Sequence, residues 1–428
     1  MPAILEVDSR KGQKEAEMSE YIPRATDEYV STLMTELPAV LLTGPRACGK
    51  TTTASQHVQS ELRLDDSSQA SAFAAAPDEV LKSYPKPTLV DEWQEIPESL
   101  SVIKRAIDVA ANPNQYIITG SAKSPSLKGT WPLTGRATTV SMYPLTVGER
   151  FRSDVYRLFV DHLFGFSDWK TRADADASGL SDCLTLALEG GFPKVCDYSN
   201  QARDSWYQGY VYHLIHRDMP DLMDVRSPQA IERLLKMLAT HTCTTVTMQS
   251  LAEAAGVAHQ TLQAYLGLLE DLRIVGRLEP WWDNRAKRLQ KAPKYYLTDT
   301  GLAGSLAQTD LVGLQRDGVL LGRILENFVL MQLLPLCANP TKPIAVRHLR
   351  DQNGDHEVDF VLENGAGQVV GVEVKAAGKV SATDAKHLKW MQHKFADRFV
   401  RGVVFYTGIL THPLEQDIWA MPISSLWS

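Results

Sequence analysis

The stretch Pro38-Ala-Val-Leu-Leu-Thr43 runs straight into Gly44-Pro45-Arg46-Ala47-Cys48-Gly49-Lys50-Thr51-Thr52, and the reading of this segment decides the fold. Ala39 to Leu42 is a short unbroken apolar run, as expected of a strand buried on both faces. The turn after it fits G-x-x-x-x-G-K-[ST] without a mismatch, and it stands where that motif belongs, after a strand and before a helix. Backbone N–H groups of such a turn surround phosphate oxygens, and the helix N-terminus adds its positive end. Lys50 is the residue expected on the β- and γ-phosphates, and Thr51 the one expected on Mg²⁺. Residues 44–52 are therefore expected to bind ATP with Mg²⁺.

Outward from this turn, short apolar runs alternate with helical stretches, as an α/β sheet requires. Strands are expected at Leu62–Leu64, Thr88–Val90, Gln115–Thr119 and Ala137–Met142. Asp91 closes the Thr88 strand and supplies a second contact to Mg²⁺, usually through water. Glu92, directly after it, is placed to take a proton from an attacking water. Thr119 and Ser121 stand at the end of a neighbouring strand, where they either sense the γ-phosphate or cap the next helix. Arg136, just before the last strand, is a candidate arginine finger, and acting in trans it would require an oligomer.

Several of these segments resemble the AAA-type ATPases of bacteria and archaea, in the branch related to archaeal ATPases and STAND proteins. The likeness rests on Leu42-Thr-Gly-Pro-Arg46, Val90-Asp-Glu-Trp-Gln94, Ile118-Thr-Gly-Ser121 and Gly135-Arg136. It continues through Glu189-Gly-Gly-Phe-Pro193, Arg217-Asp218, Tyr295-Tyr-Leu-Thr-Asp299 and Gly301-Leu302, which belong to the uncharacterised domain commonly fused to that ATPase. The resemblance implies Mg²⁺-dependent ATP hydrolysis and covers nearly the whole chain past its first residues.

Further along, helical periods at Ile231–Leu238, Met248–Ala255 and His259–Leu272 precede two strands, Ile274–Leu278 and Lys294–Leu297. Three helices and a strand pair are the elements of a winged helix-turn-helix. The loop between the strands carries Arg285, Lys287, Arg288, Lys291 and Lys294, a local basic run suited to DNA phosphates. Trp281 and Trp282 either stack on bases or pack the wing against its neighbour. The helix from His259 opens without Arg or Lys, so sequence-specific readout is not expected.

Near the C-terminus, Glu357-Val-Asp-Phe-Val-Leu362 and Val372-Glu-Val-Lys375 resemble the motif of restriction-endonuclease-like nucleases, an Asp followed by Glu-x-Lys. Alternate strand residues face the same way, so Glu373 and Lys375 project together. If Leu362 pairs with Gln368 across Asn364-Gly365, Asp359 joins them on that face. Asp359, Glu373 and, from the preceding helix, Glu326 are candidate metal ligands, with Lys375 as the catalytic cation. The bland alternative is a half-exposed hairpin whose residues simply alternate.

The bulk numbers set the frame. A chain of 428 residues exceeds one ordinary core. The expected architecture is α/β multidomain: a leader over 1–25, a RecA/AAA-like parallel sheet over 26–150, a helical connector over 151–225, a winged helix-turn-helix over 226–310, and an α/β/α restriction-endonuclease-like fold over 315–428. Net charge is −7, which excludes a basic nucleic-acid coat. Five scattered cysteines without C-x-x-C spacing read as reduced thiols of a cytoplasmic protein. His213 and His216 stand three apart without a third ligand nearby, which disfavours a zinc site. Two function classes follow. One is an ATP-driven DNA-processing enzyme with a nuclease site; the other is an ATP-dependent switch whose C-terminal domain is a binding module.

Overall fold

The computed structural model describes residues 21–120, 131–153, 156–165, 172–173, 178–283, 292–351 and 354–428. The first sheet consists of β1 (Ala39–Thr43), β2 (Ser60–Arg63), β3 (Thr88–Asp91), β4 (Tyr116–Thr119) and β5 (Ala137–Ser141). All its pairs are parallel, in the order β2-β3-β4-β1-β5. The alternation along β1 explains why it reads as unbroken apolar sequence. Ala39 and Leu41 join a core with Leu62, Val90, Ile103 and Ile118, while Val40 and Leu42 join another with Val30, Leu89 and Ile117. Successive side chains leave a strand on opposite sides, so a sheet covered on both faces needs apolar residues at every position. Thr43, Asp91 and Thr119 stand at the C-terminal ends of β1, β3 and β4, where open parallel sheets bind their ligands.

The next segment is helical, with helices Phe159–Phe164, Leu180–Glu189 and Asn200–His213. The last continues through a wider turn at Leu214–Asp218 into Met219–Leu222. Such one-turn widenings of a helix are frequent at functional sites. Strand β6 (Arg172–Ala173) runs out from this region to pair with the far edge of the C-terminal sheet.

Helices Pro228–Thr240, Met248–Ala255 and His259–Asp271 follow, with a small antiparallel sheet of β7 (Thr244–Thr245), β8 (Val275–Leu278) and β9 (Lys294–Leu297) in the order β7-β9-β8. The first two helices start on Ser227 and Thr247, whose hydroxyls accept the N–H groups of Ala230 and Ser250. Gly256 at φ 69° ends the second, a conformation that favours glycine.

The C-terminal sheet holds β10 (Ala345–Arg350), β11 (Glu357–Glu363), β12 (Val369–Lys375), β13 (Phe399–Tyr406), β14 (Leu410–Glu415) and β15 (Ile418–Pro422), in the order β10-β11-β12-β13-β15-β14-β6. Its two faces are distinct. Phe360, Leu362, Val370, Val372 and Phe405 pack with the helix Gly318–Cys337, whereas Val358, Val361, Val369 and Val404 pack with Leu388 and Met391 of the helix Lys386–Lys394. The Gly318–Cys337 helix is long and apolar enough to cross a membrane by composition, but 78% of its apolar window is buried inside the protein.

One hydrophobic cluster runs from Ala25 and Tyr29 through the helical segment and the small sheet to Trp427. The stretches 151–225, 226–310 and 315–428 therefore share this core, while the C-terminal sheet keeps a second, smaller one on its other face. Tyr29 reinforces this, donating its hydroxyl to the Pro335 and Leu336 carbonyls at 3.2 and 3.3 Å.

Candidate nucleotide site and carboxy-terminal cluster

The phosphate loop owes its shape to two residues in the left-handed region, Ala47 at φ 64° and Gly49 at φ 99°. Gly44 answers a different need. A Cβ there would lie 2.6 Å from the backbone oxygen of Met142, so only glycine allows this approach. Lys50 is 7% exposed, and its Nζ donates to the carbonyls of Gly44 and Pro45 at 3.0 Å each. Its charge is thus held within the loop by acceptors that a phosphate oxygen can replace. Thr51 Oγ1 donates to Asp91 Oδ1 at 3.0 Å, and the Thr119 hydroxyl donates to the same oxygen. The strand ends of β3 and β4 and the start of the Lys50–Ser55 helix thereby gather two hydroxyls on one carboxylate, and the Thr51–Asp91 pair stands where a Mg²⁺ could be shared with phosphate. Glu92, at φ 52°, follows Asp91 and accepts from the Gln94 side-chain amide. A cradle of this shape, with a cation inside and a hydroxyl–carboxylate pair at its rim, fits a nucleoside triphosphate.

Arg24, Glu149, Tyr207 and Tyr210 went unread in the sequence, and Asp218 and Asp299 stood there only within motifs. Arg24 is 3% exposed and donates to the Cys48 carbonyl of the loop at 3.0 Å and to the Tyr143 carbonyl at 2.6 Å. Its Nε lies 3.2 Å from Glu149, which compensates the buried charge. Arg46 pairs through its guanidinium with Asp218 in the widened helical turn, and its carbonyl accepts from Tyr210 at 3.3 Å. Burial raises the Asp218 carboxyl above its ordinary range, and the Arg46 charge works against that rise. Glu189-Gly-Gly-Phe-Pro193 lies close by: a Cβ on Gly49 would be 3.7 Å from Pro193. The Gly191 N–H donates to Asp299 at 2.7 Å, and Asp299 also accepts from Tyr207 at 2.9 Å and from the Leu302 N–H at 2.7 Å. Phosphate loop, connector helix and the Asp299 turn form one hydrogen-bonded path.

Arg136 lies elsewhere. It precedes Ala137, which pairs with Ala39 at the start of β1, and its guanidinium holds Asp108, 2.6 Å from Nε. That end of the sheet is opposite the phosphate loop, so Arg136 does not serve its own chain's site. Ser121 lies outside the described residues, as do Arg285, Lys287, Arg288 and Lys291.

In the C-terminal sheet Leu362 pairs with Val370 and Phe360 with Val372, not Leu362 with Gln368. The Asn364 side chain accepts the N–H groups of Ala366 and Gln368, and Gly367 at φ 79° completes a longer turn. The slip is two residues, so side-chain parity survives and Asp359 still faces Glu373. Asp359 accepts the Val374 N–H at 2.8 Å, Lys375 Nζ holds Glu373 Oε2 at 2.9 Å, and Glu326 approaches from the Gly318–Cys337 helix. The expected quartet is assembled.

A correction comes with it. Lys294, read as a phosphate contact of the basic loop, is 2% exposed and faces inward. Its Nζ lies 2.9 Å from Glu326, 3.1 Å from Glu357 and 4.0 Å from Asp359. Burial costs a lone ammonium several kcal/mol, of order 3–5 for one stripped of its partner, so these carboxylates are what keep it in place. Burial together with like charge pushes the Glu326 and Glu373 carboxyls up to about 8. Among the described residues no group of three or more His, Cys, Asp or Glu stands so as to hold a metal ion. The carboxylates present do not fit a metal as arranged, because lysines occupy them. Trp281 is likewise unavailable to bases: it is fully buried and packs edge-on against Phe395 at 4.8 Å. Trp282 carries Lys394 at 4.7 Å over its ring.

Family comparison agrees with the geometry. Residues 36–151 match the model of an AAA domain, and residues 181–312 and 321–426 match two domains of unknown function, DUF8612 and DUF4143. The uncharacterised protein Rv2008c of Mycobacterium tuberculosis is 31% identical over 398 residues, spanning 91% of this chain and 81% of the relative. This chain belongs to the family of Rv2008c. The uncharacterised protein Mb2031c of Mycobacterium bovis matches the Rv2008c-family chain equally, at 31% over 398 residues, with the same coverage. A Walker-type ATPase of Pyrococcus abyssi superposes with a TM-score of 0.41 at 13% identity, covering 68% of this chain and 97% of that one. Together with the intact phosphate loop, the AAA match makes the N-terminal part of this Rv2008c-family member a P-loop ATPase domain.

Proposed function

We propose that this protein is a Mg²⁺-dependent ATP hydrolase that works as a switch, its nucleotide state read by the helical connector and passed to the C-terminal part. The observation that carries the reading is the grip on Arg46. Its side chain is held by Asp218 and its carbonyl by Tyr210, both on the connector. A triphosphate entering the loop brings negative charge beside Asp218 and competes for the same guanidinium, so binding must alter that contact. In hydrolysis Lys50 holds the terminal phosphates and Glu92 takes the proton of the attacking water, while Thr51 and Asp91 are the residues that would hold Mg²⁺.

The helices from Pro228 to Asp271 with β8 and β9 are read as a winged helix, and the C-terminal sheet as a restriction-endonuclease-like module. With Glu326 and Glu357 paired to Lys294 and Glu373 to Lys375, that module is read as a binding element without catalysis. The competing reading, an ATP-driven DNA-processing enzyme, is favoured by the convergence of Asp359, Glu373 and Lys375. One assay separates the two. Single- and double-stranded DNA is incubated with Mg²⁺ or Mn²⁺, with and without ATP, using wild type and Lys375→Ala. Steady ATP hydrolysis without cleavage supports the switch; cleavage lost in Lys375→Ala overturns it in favour of the nuclease.

A further inference from the structure

Gly49 lies at φ 99°, and glycine takes either sign of φ at little cost. The Cys48–Gly49 peptide could therefore stand in two orientations, one the reverse of the other. The orientation present turns the Cys48 carbonyl to Arg24 Nη1, 3.0 Å away. A planar trans peptide points its C=O and its N–H in opposite directions, so the Gly49 N–H is turned away from Arg24. That N–H donates to no acceptor among the described residues. Arg24 is itself clamped. Its Nη2 donates to the Tyr143 carbonyl at 2.6 Å, and its Nε lies 3.2 Å from Glu149. Glu149 also accepts the Ala25 N–H at 2.8 Å, and the Arg24 N–H donates to Asp27 at 2.6 Å. A buried guanidinium fixed in this way cannot follow the carbonyl if the peptide turns over, and a charged donor would be left unpaired.

We propose that Arg24 is a positioning residue of the nucleotide site: by holding the Cys48 carbonyl it keeps the Gly49 N–H presented to the phosphates. It acts through the peptide, from the carbonyl side. The inference rests on the reading of residues 44–52 as an ATP site. N–H groups of such a loop reach the α- and β-phosphates, which ADP and ATP share. The effect of Arg24 therefore falls on both nucleotides alike, and on KM instead of kcat. A residue that only held the fold together would change stability and leave the affinity of the folded chain where it was.

The test is calorimetric titration of the full chain with ADP and with ATP in Mg²⁺, beside steady-state hydrolysis and urea unfolding, for wild type and Arg24→Lys. One ammonium cannot stand at the three places of the guanidinium fork, so a lysine can keep Glu149 while releasing Cys48. Folded Arg24→Lys is expected to bind ADP and ATP each roughly tenfold or more weakly, the worth of one hydrogen bond to a charged group. KM should rise by the same factor, with kcat kept. Wild-type affinity for both nucleotides in folded Arg24→Lys overturns the proposal. So does a loss confined to ATP, which would place Arg24 on the γ-phosphate. If Arg24→Lys does not fold, Arg24→Met combined with Glu149→Gln, which removes both buried charges, is held to the same expectation. If neither folds, Arg24 is a structural residue and the proposal fails. Wild type that binds neither nucleotide would instead overturn the ATP site itself, and this inference with it.

Discussion

At the residue scale the nucleotide site separates binding from chemistry. Glu92 stands beside Asp91 but makes none of the contacts that shape the loop. Glu92→Gln is therefore expected to bind ATP with unchanged affinity by calorimetry and to lose hydrolysis by roughly 10²–10⁴-fold, the usual worth of a general base. Loss of affinity to the same extent would take Glu92 out of that role. Asp218 acts in the opposite sense. Its pair with Arg46 is partly exposed, with the guanidinium 52% accessible, so the contact is worth at most about 1 kcal/mol. Asp218→Asn should tighten ATP binding by up to about fivefold, measured by titration with a fluorescent analogue; weaker binding would mean that Asp218 orients the loop and does not compete with phosphate. The buried carboxyls make a third, pH-dependent statement. Burial first, and the charge of Asp359 after it, push the Glu326 and Glu373 carboxyls up to about 8 from an ordinary 4.5. The folded state holds protons that the unfolded chain releases between these values, so stability falls as pH rises from about 4.5 to 8. Glu373→Gln should flatten that fall in urea titrations across this range, and an unchanged slope would contradict it.

At the scale of elements, the parts legible in sequence were those whose physics is local. The apolar runs of β1, β3 and β4 mark strands because both faces are covered, and Gly44 to Thr51 announces its loop by spacing alone. Gly44→Ala sets the expected price of that local geometry. A Cβ placed 2.6 Å from the Met142 carbonyl cannot be relieved by a side-chain rotation. The substitution should destabilise the ATPase sheet by about 1–3 kcal/mol in denaturant unfolding and abolish nucleotide binding; full binding with native stability would contradict the packing described. The β11–β12 hairpin was half legible. Parity survived because a strand repeats every two residues, whereas the turn length depended on Asn364 and Gly367, whose side-chain and backbone roles are not visible in an alternating pattern. Lys294 was misread for a related reason. It adjoins a basic run, and only the packing of the Gly318–Cys337 helix against β9 puts Glu326, 32 residues away, beside it.

At the scale of the whole molecule, the division into consecutive domains reflects the order of motifs better than the distribution of the core. The cluster running from Ala25 to Trp427 ties the connector, the small sheet and the C-terminal layer into one body, with the ATPase sheet attached through Tyr29, Arg24 and the phosphate loop itself. Contacts such as Arg46 with Asp218, or Gly191 with Asp299, join residues more than a hundred positions apart and leave no periodic trace in sequence. The proposed switch rests on these contacts, and so does its test. The decisive measurement is amide hydrogen exchange over residues 200–222, in wild type and Lys50→Ala, with and without Mg²⁺-ATP. The predicted result is a change in exchange around Leu214–Asp218 on ATP addition in wild type and none in Lys50→Ala. ATP bound at saturation with exchange in that helix unaltered would contradict the coupling outright.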